Sequence, residues 1–198
     1  MKGVFVYRNI SDLNKLLDYS QQPHVKGGKA VVVGGGLLGL EAAKAVYDLE
    51  EIKDVAIVNR QAFPLSRQLD NHGGEIVLRR IEAMGVQVLT HSSPTGIVTA
   101  EGHPDVFKGL TMNDGSVLEA DLVIFSVGIS PRDDLAKKAG IACEEKGGIT
   151  VNDLLETSAK DVYAIGECAS WNHNTYGLIA PGVEMADILS FNFTQLQT

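Results

Sequence analysis

The sequence predicts an α/β fold in which helices alternate with the strands of a parallel sheet, on three observations. Two short runs, Ala30-Val31-Val32-Val33 and Val55-Ala56-Ile57-Val58, have the unbroken apolar character of parallel strands buried on both faces. Between and beyond them lie segments whose apolar residues recur three and four apart, the spacing of helices. A glycine-rich turn, Gly34-Gly35-Gly36-Leu37-Leu38-Gly39, follows the first run directly.

Taken in order, Val4 to Tyr7 reads as a short strand, and Ser11 as the cap of a helix carrying Leu13, Leu16 and Leu17. That helix ends before Gln21-Gln22-Pro23, and His24 to Lys29 reads as a connector. After the glycine turn, Gly39, Ala42, Ala43 and Val46 share one helix face. Leu69 to Met84 holds Ile76, Val77, Ile81 and Met84 at helical spacing, and Gly85 ends it. Val86 to Leu89 is a third strand, so the order is βαβαβ, with right-handed crossovers. Thr95 to Glu119 changes character, with short alternating runs split by Gly102, Pro104 and Asn113-Asp114-Gly115, which predicts a small antiparallel β-meander. Asp121 to Val127 is another buried strand. Pro131, Asp133 and Asp134, Lys137 and Lys138, and Gly140 stand in the order that suits a short helix from start to stop. Gly148 to Val151 and Val162 to Ile165 read as strands, and a final helix from near Pro181 carries Met185, Ile188 and Leu189.

Composition excludes several functions. The chain has 198 residues, 44% hydrophobic and 21% charged, with a formal net charge of −8. An acidic surface repels nucleic acid and anionic lipid, so neither is an expected partner. No apolar stretch approaches the roughly 20 residues of a transmembrane helix, Met1 to Val6 does not read as a signal peptide, and a cytoplasmic location is expected. Cys143 and Cys168 cannot form a CxxC pair and are too few for a four-thiolate cluster, so they read as reduced thiols. The sequons at Asn9 and Asn192 are chance matches on that view. His24, His72, His91, His103 and His173 lack metal-ligand spacing.

The glycine turn carries the chemistry. A buried strand leads in, a helix leads out and a second strand follows, which is the setting of a Rossmann-like dinucleotide site. Gly34 permits the sharp turn, Gly36 lets backbone approach a pyrophosphate, and Gly39 lets the helix pack on the strand. With Gly35, Leu37 and Leu38, these residues present helix N-terminal N–H groups and about half a positive charge to the phosphates of NAD(P)H. The residue that selects between the two nicotinamide cofactors is expected roughly 20 residues past the last glycine, and Asn59 stands there. Asn59 is neutral, Arg60 is beside it, and Arg67 lies in the following link, a set that tolerates the 2′-phosphate of NADPH as well as NADH. Glu41 faces either the nicotinamide end or solvent.

A second signal is Thr157-Ser158-Ala159-Lys160-Asp161-Val162-Tyr163-Ala164-Ile165-Gly166-Glu167-Cys168, in which Gly166 allows close approach of a ligand and Glu167 offers a carboxylate to a sugar hydroxyl. With this segment the chain resembles the pyridine nucleotide–disulfide oxidoreductase family of two-dinucleotide flavoproteins. The resemblance implies that the segment contacts the flavin, with Glu167 where Asp is usual. It also implies that Ser126 to Arg132, containing Gly128, is where the chain passes from nicotinamide domain to flavin domain, with Val6 to Asp12 the entry on the other side. Gly-Glu-Cys-Ala-Ser-Trp at 166–171 and Tyr-Gly-Leu-Ile-Ala-Pro-Gly at 176–182 are similar to assimilatory NAD(P)H nitrite reductases of the large-subunit type.

The resemblance implies a fragment: a partial FAD-domain segment at 1–28, an NAD(P)-binding domain at 29–132 and a second partial FAD-domain segment at 133–198. The rest of the FAD domain and a siroheme and iron–sulfur module would belong to the parent protein. Hydride would pass from NAD(P)H to FAD, with no catalytic side chain required. A ferredoxin- or rubredoxin-reductase type of flavoprotein, or a dinucleotide-binding module without turnover, stands as the alternative. Val4 to Tyr7 and Gly148 to Ile165 are expected to lack strand partners and to be less stable than the core.

Overall fold

The structure, a computed structural model, describes residues 1–195, and its packing separates Met1–Gly128 from the chain beyond Ile129. In the first unit the elements are β1 (Val4–Val6), α1 (Ile10–Ser20), β2 (Gly28–Val33), α2 (Leu37–Tyr47), β3 (Ile52–Val58), α3 (Asn71–Ala83), β4 (Gln87–Leu89), β5 (Pro94–Ala100), β6 (His103–Met112), β7 (Val117–Glu119) and β8 (Leu122–Phe125). A five-stranded sheet runs in the order β1-β8-β2-β3-β4, every neighbouring pair parallel. β5, β6 and β7 form the antiparallel meander.

Successive side chains of β2 point to opposite faces, which sorts the core into two layers. Ala30 and Val32 join Leu122 and Ile124 of β8 and Val55 and Ile57 of β3, closed by Ala42, Ala43 and Val46 of α2 and Leu16 and Tyr19 of α1. Val31 and Val33 join Val123, Ala56 and Val58, closed by Phe107, Leu110 and Met112 of β6. Helices cover one face and the meander covers the other, so both faces are dry. Each fully buried side chain of this size stabilises the fold by about 1.5–3 kcal/mol.

Several boundaries move for identifiable reasons. The cap of α1 is Asn9, whose Oδ1 accepts from Asp12 N–H at 3.0 Å, and Ser11 lies inside the first turn. Asp70 caps α3 by accepting from Gly73 N–H at 2.8 Å, so that helix begins after Leu69. Residues 1–28 pack within this unit. β1 has β8 as a strand partner, from Val4–Val123 to Val6–Phe125. Lys2 extends the chain along β6, donating N–H to Asp105 O at 2.8 Å and accepting from Phe107 N–H at 3.0 Å. Nothing local in the sequence reveals a partner so distant along the chain. The packing boundary falls after Gly128.

Beyond Ile129 lie α4 (Asp134–Lys138), β9 (Ile149–Val151), β10 (Ala169–Trp171), β11 (Asn174–Thr175) and α5 (Ile179–Gln195). β10 pairs in parallel with β9 and antiparallel with β11, so residues near Gly148 also have a strand partner. Val151, Leu155, Ala164, Ala169 and Met185 form the core of this unit. Val162 to Ile165 is not a strand: only Tyr163 bridges, to Glu156. Thr157 holds this stretch as a tight loop, its N–H and hydroxyl both donating to Val162 O at 2.9 Å.

Asp133 anchors the unit. Lys137 Nζ reaches its Oδ1 at 2.8 Å, and Gly148 N–H donates to its Oδ2 at 2.8 Å. The Lys137 ammonium first, then the Gly148 N–H, hold the Asp133 carboxyl below the usual carboxylate range. A carboxylate depressed in the folded state contributes stability that is present above its unfolded pKa and lost as pH falls through the folded one. Asp133→Asn should therefore melt below the unaltered chain at pH 6, with the gap closing towards pH 3. Far-UV circular dichroism melts across that range check this, and a gap independent of pH contradicts it.

Candidate dinucleotide site

The turn from β2 into α2 lies at the carboxyl edge of the parallel sheet, where open α/β sheets bind ligands. Its glycines are there for different reasons. Gly34 has φ +119°, and a Cβ on it would collide with the carbonyl of Ser126. Gly39 faces the Gly34 carbonyl so closely that a Cβ has no room. A Cβ on Gly35 would stand 2.6 Å from Asn59 Oδ1. Gly36 differs: its φ of −83° and ψ of −177° suit any residue, and no heavy atom lies within 4 Å of a Cβ built on it. Neither conformation nor packing within the chain requires glycine at 36, and the backbone surface there is bare.

Gly36 is also the N-cap of α2, with no capping side chain and no acidic residue in the first turn. Leu40 N–H donates to Gly36 O at 3.0 Å, so the N–H groups of Leu37, Leu38 and Gly39 precede the first intrahelical bond. Leu37 and Leu38 are each 43% exposed, which leaves that end of the helix accessible. Bare backbone, free N–H groups and the positive end of a helix dipole suit a pyrophosphate.

Asn59, at the end of β3, is only 6% exposed. Its Nδ2 donates to Gln61 O at 2.9 Å, and its backbone accepts from Ser92 N–H at 3.1 Å and donates to Leu89 O at 2.8 Å. Its side chain is thus bonded to its own link, with Oδ1 lying over Gly35. Arg60 and Arg67 are exposed in that link, and neither has an ion-pair partner among the described residues. The link is tied to the glycine turn by Leu65, whose N–H donates to Gly35 O at 2.8 Å. Leu65 was not visible to sequence reasoning, because nothing in a leucine advertises its φ of +56°. Glu41 is exposed on α2. Gly128, with φ +128° and open space at its Cα, closes the first unit.

Gly166 and Glu167 lie in the second unit. Gly166 has φ +75° with no neighbour to a Cβ, donates N–H to Met185 Sδ at 3.3 Å, and its Cα would sit 3.4 Å from a Cβ on Gly182 of α5. Glu167 is half-buried in a short 3₁₀ turn, Gly166–Cys168. Trp171 packs outward and donates Nε1–H to Asp153 Oδ1 at 2.9 Å. No helix among the described residues is long and apolar enough to cross a membrane.

A family model described as pyridine nucleotide-disulphide oxidoreductase matches residues 1–186. The chain is 50% identical to a nitrite reductase [NAD(P)H] of Neurospora crassa, an alignment that covers 98% of this chain and 17% of that protein. It is 43% identical to the nitrite reductase (NADH) large subunit of Escherichia coli K12, over 93% of this chain and 21% of that one. Among solved structures, an NAD-dependent persulfide reductase from A. fulgidus superposes with a TM-score of 0.85 at 26% identity, over 98% of this chain and 35% of that one. The chain thus spans about a fifth of the length of these nitrite reductases.

The glycine geometry predicts opposite responses to the same small change. Gly39→Ala forces the helix off the turn and should cost about 1–3 kcal/mol, as overpacking does. Gly36→Ala meets nothing and should leave stability within about 1 kcal/mol of the parent. Urea unfolding of the two variants compares them, and equal losses would contradict the difference in packing between Gly36 and Gly39.

Proposed function

The chain belongs to the pyridine nucleotide-disulphide oxidoreductase family, and from that premise we propose that it is the NAD(P)H-binding, electron-input portion of a nitrite-reductase-like flavoenzyme, in which a hydride passes from NAD(P)H to FAD. The observation that carries this proposal is the bareness of Gly36 at the uncapped start of α2. The family binds FAD and NAD(P)H, and the nicotinamide and flavin supply the hydride chemistry when bound.

The chain's own residues bind and orient. Gly34 and Gly35 shape the turn, the Gly34 N–H donating to Val58 O at 2.9 Å, and the N–H groups of Gly36, Leu37, Leu38 and Gly39 hold the pyrophosphate. Arg60 and Arg67 stand where the adenosine ribose would lie, and Asn59 carries no negative charge to repel a 2′-phosphate. Glu41, exposed on α2, faces the nicotinamide end, and Gly128 lies where the chain leaves for the flavin domain. The segment beyond Ile129 contributes Gly166 and Glu167 to the flavin, and the remainder of the flavin site and a siroheme and iron–sulfur module come from the parent protein. That protein works in the cytoplasm as part of nitrate assimilation.

Calorimetric titration of the chain with NADH and with NADPH tests the nicotinamide assignment. At least one should bind, and Gly36→Val should abolish binding without loss of fold. Replacing both Arg60 and Arg67 by Ala should weaken NADPH about tenfold or more, the worth of a charge-assisted contact, and leave NADH nearly unchanged. A chain that is folded yet binds neither nucleotide refutes the assignment.

A further inference from the structure

We infer that Leu65 is a positioning residue for the dinucleotide site: its left-handed backbone clamps the Gly35 carbonyl and so aims the Gly36 N–H at the ligand. This rests on the function proposed above.

Non-glycine residues rarely adopt positive φ, and a bulky one that does needs a reason. Leu65, at φ +56°, and Leu155, at φ +65°, are the aliphatic cases among the described residues. Leu155 belongs to the apolar core of the second unit, and its N–H donates to Asn152 O at 2.9 Å, three residues back in the same loop. Leu65 is half-buried and belongs to no such core. What it has is a hydrogen bond across to the glycine turn. Its N–H donates to Gly35 O at 2.8 Å, and its own carbonyl accepts from Gln68 N–H at 2.9 Å and Leu69 N–H at 3.0 Å. The residue before it, Pro64, is buried and has no N–H to give, so Leu65 is the first donor available at that point. A left-handed residue after a proline is a turn position that glycine or asparagine fills without strain.

The consequence for the glycine turn follows from peptide geometry. No peptide bond in the described chain is cis. In a planar trans peptide the carbonyl and the N–H point in opposite directions. With the Gly35 carbonyl engaged by Leu65, the Gly36 N–H is turned away from the link. Asn59 Oδ1 crowds the Cα of Gly35, while the Cα of Gly36 is bare. One side of this stretch is therefore held by the protein and the other is left for the phosphates. A donor held in place before binding loses less freedom on binding, and affinity rises accordingly.

The test uses three forms of the intact chain: unaltered, Leu65→Gly and Leu65→Val. Glycine keeps the N–H and accepts positive φ, whereas a β-branched residue resists it. Two readouts are taken, amide hydrogen exchange at position 65 in the cofactor-free chain and calorimetric NADH affinity, with thermal midpoints as the control for folding. The expected result is slow exchange in the unaltered chain and in L65G, faster exchange in L65V, and NADH affinity reduced on the order of tenfold in L65V alone. Equal exchange in the unaltered chain and L65V overturns the inference. Equal losses of affinity in L65G and L65V also overturn it, since the leucine side chain would then be what matters. If the unaltered chain binds no NADH, the proposed function fails, and the exchange rates still decide whether the clamp exists.

Discussion

The close approach of the Gly34 carbonyl to the Cα of Gly39 is the constraint on which the rest of the site depends. It sets the first turn of α2 directly over the end of β2. From that crossing follow the packing of Ala42, Ala43 and Val46 onto Ala30 and Val32, and the outward aim of the N–H groups at the start of α2. The Ser126 carbonyl closes the other side of Gly34, so the end of β8 pins the same crossing. Helix, turn and sheet are thus fixed relative to one another by backbone atoms.

Much of this was legible in the sequence. The β-branched run before Gly34, the apolar face of Gly39, Ala42, Ala43 and Val46, and the Asn113-Asp114-Gly115 turn each state their structure through local chemistry. So does the choice of fold class, because alternating strands and helices leave few ways to bury both faces of a sheet. The position of Asn59 was legible too. Its orientation was not, since whether an amide turns inward depends on what crowds it, here the Cα of Gly35 and the carbonyl of Gln61.

What escaped was non-local or carried by the backbone. β1 finds β8, which no window of sequence could connect. The β10–β11 hairpin turns through Asn172 and His173, with φ of +48° and +60°, in place of the Asn-Gly pair that signals such turns. Val162 to Ile165 has strand composition, yet the Thr157 hydroxyl offers its backbone a local partner and the ladder does not form. Leu65 belongs to the same class: the residue type argues against its conformation, and only the hydrogen bond to Gly35 explains it.

The place of β8 in the sheet has a consequence for how the protein comes into being. It lies between β1 and β2, although it is the last strand of its unit to be made. Until Phe125 has left the ribosome, β1 has no neighbour, and β2 has one open edge. Pairings such as Val4 with Val123 join the two ends of the unit, and long-range parallel pairing of this kind is slow to form. The helix-side layer can begin to gather around β2 and β3 during synthesis, but the sheet itself closes only once β8 has emerged. The nascent chain therefore passes through a period in which its most apolar strands are exposed, and the cell's folding machinery has that interval in which to meet it.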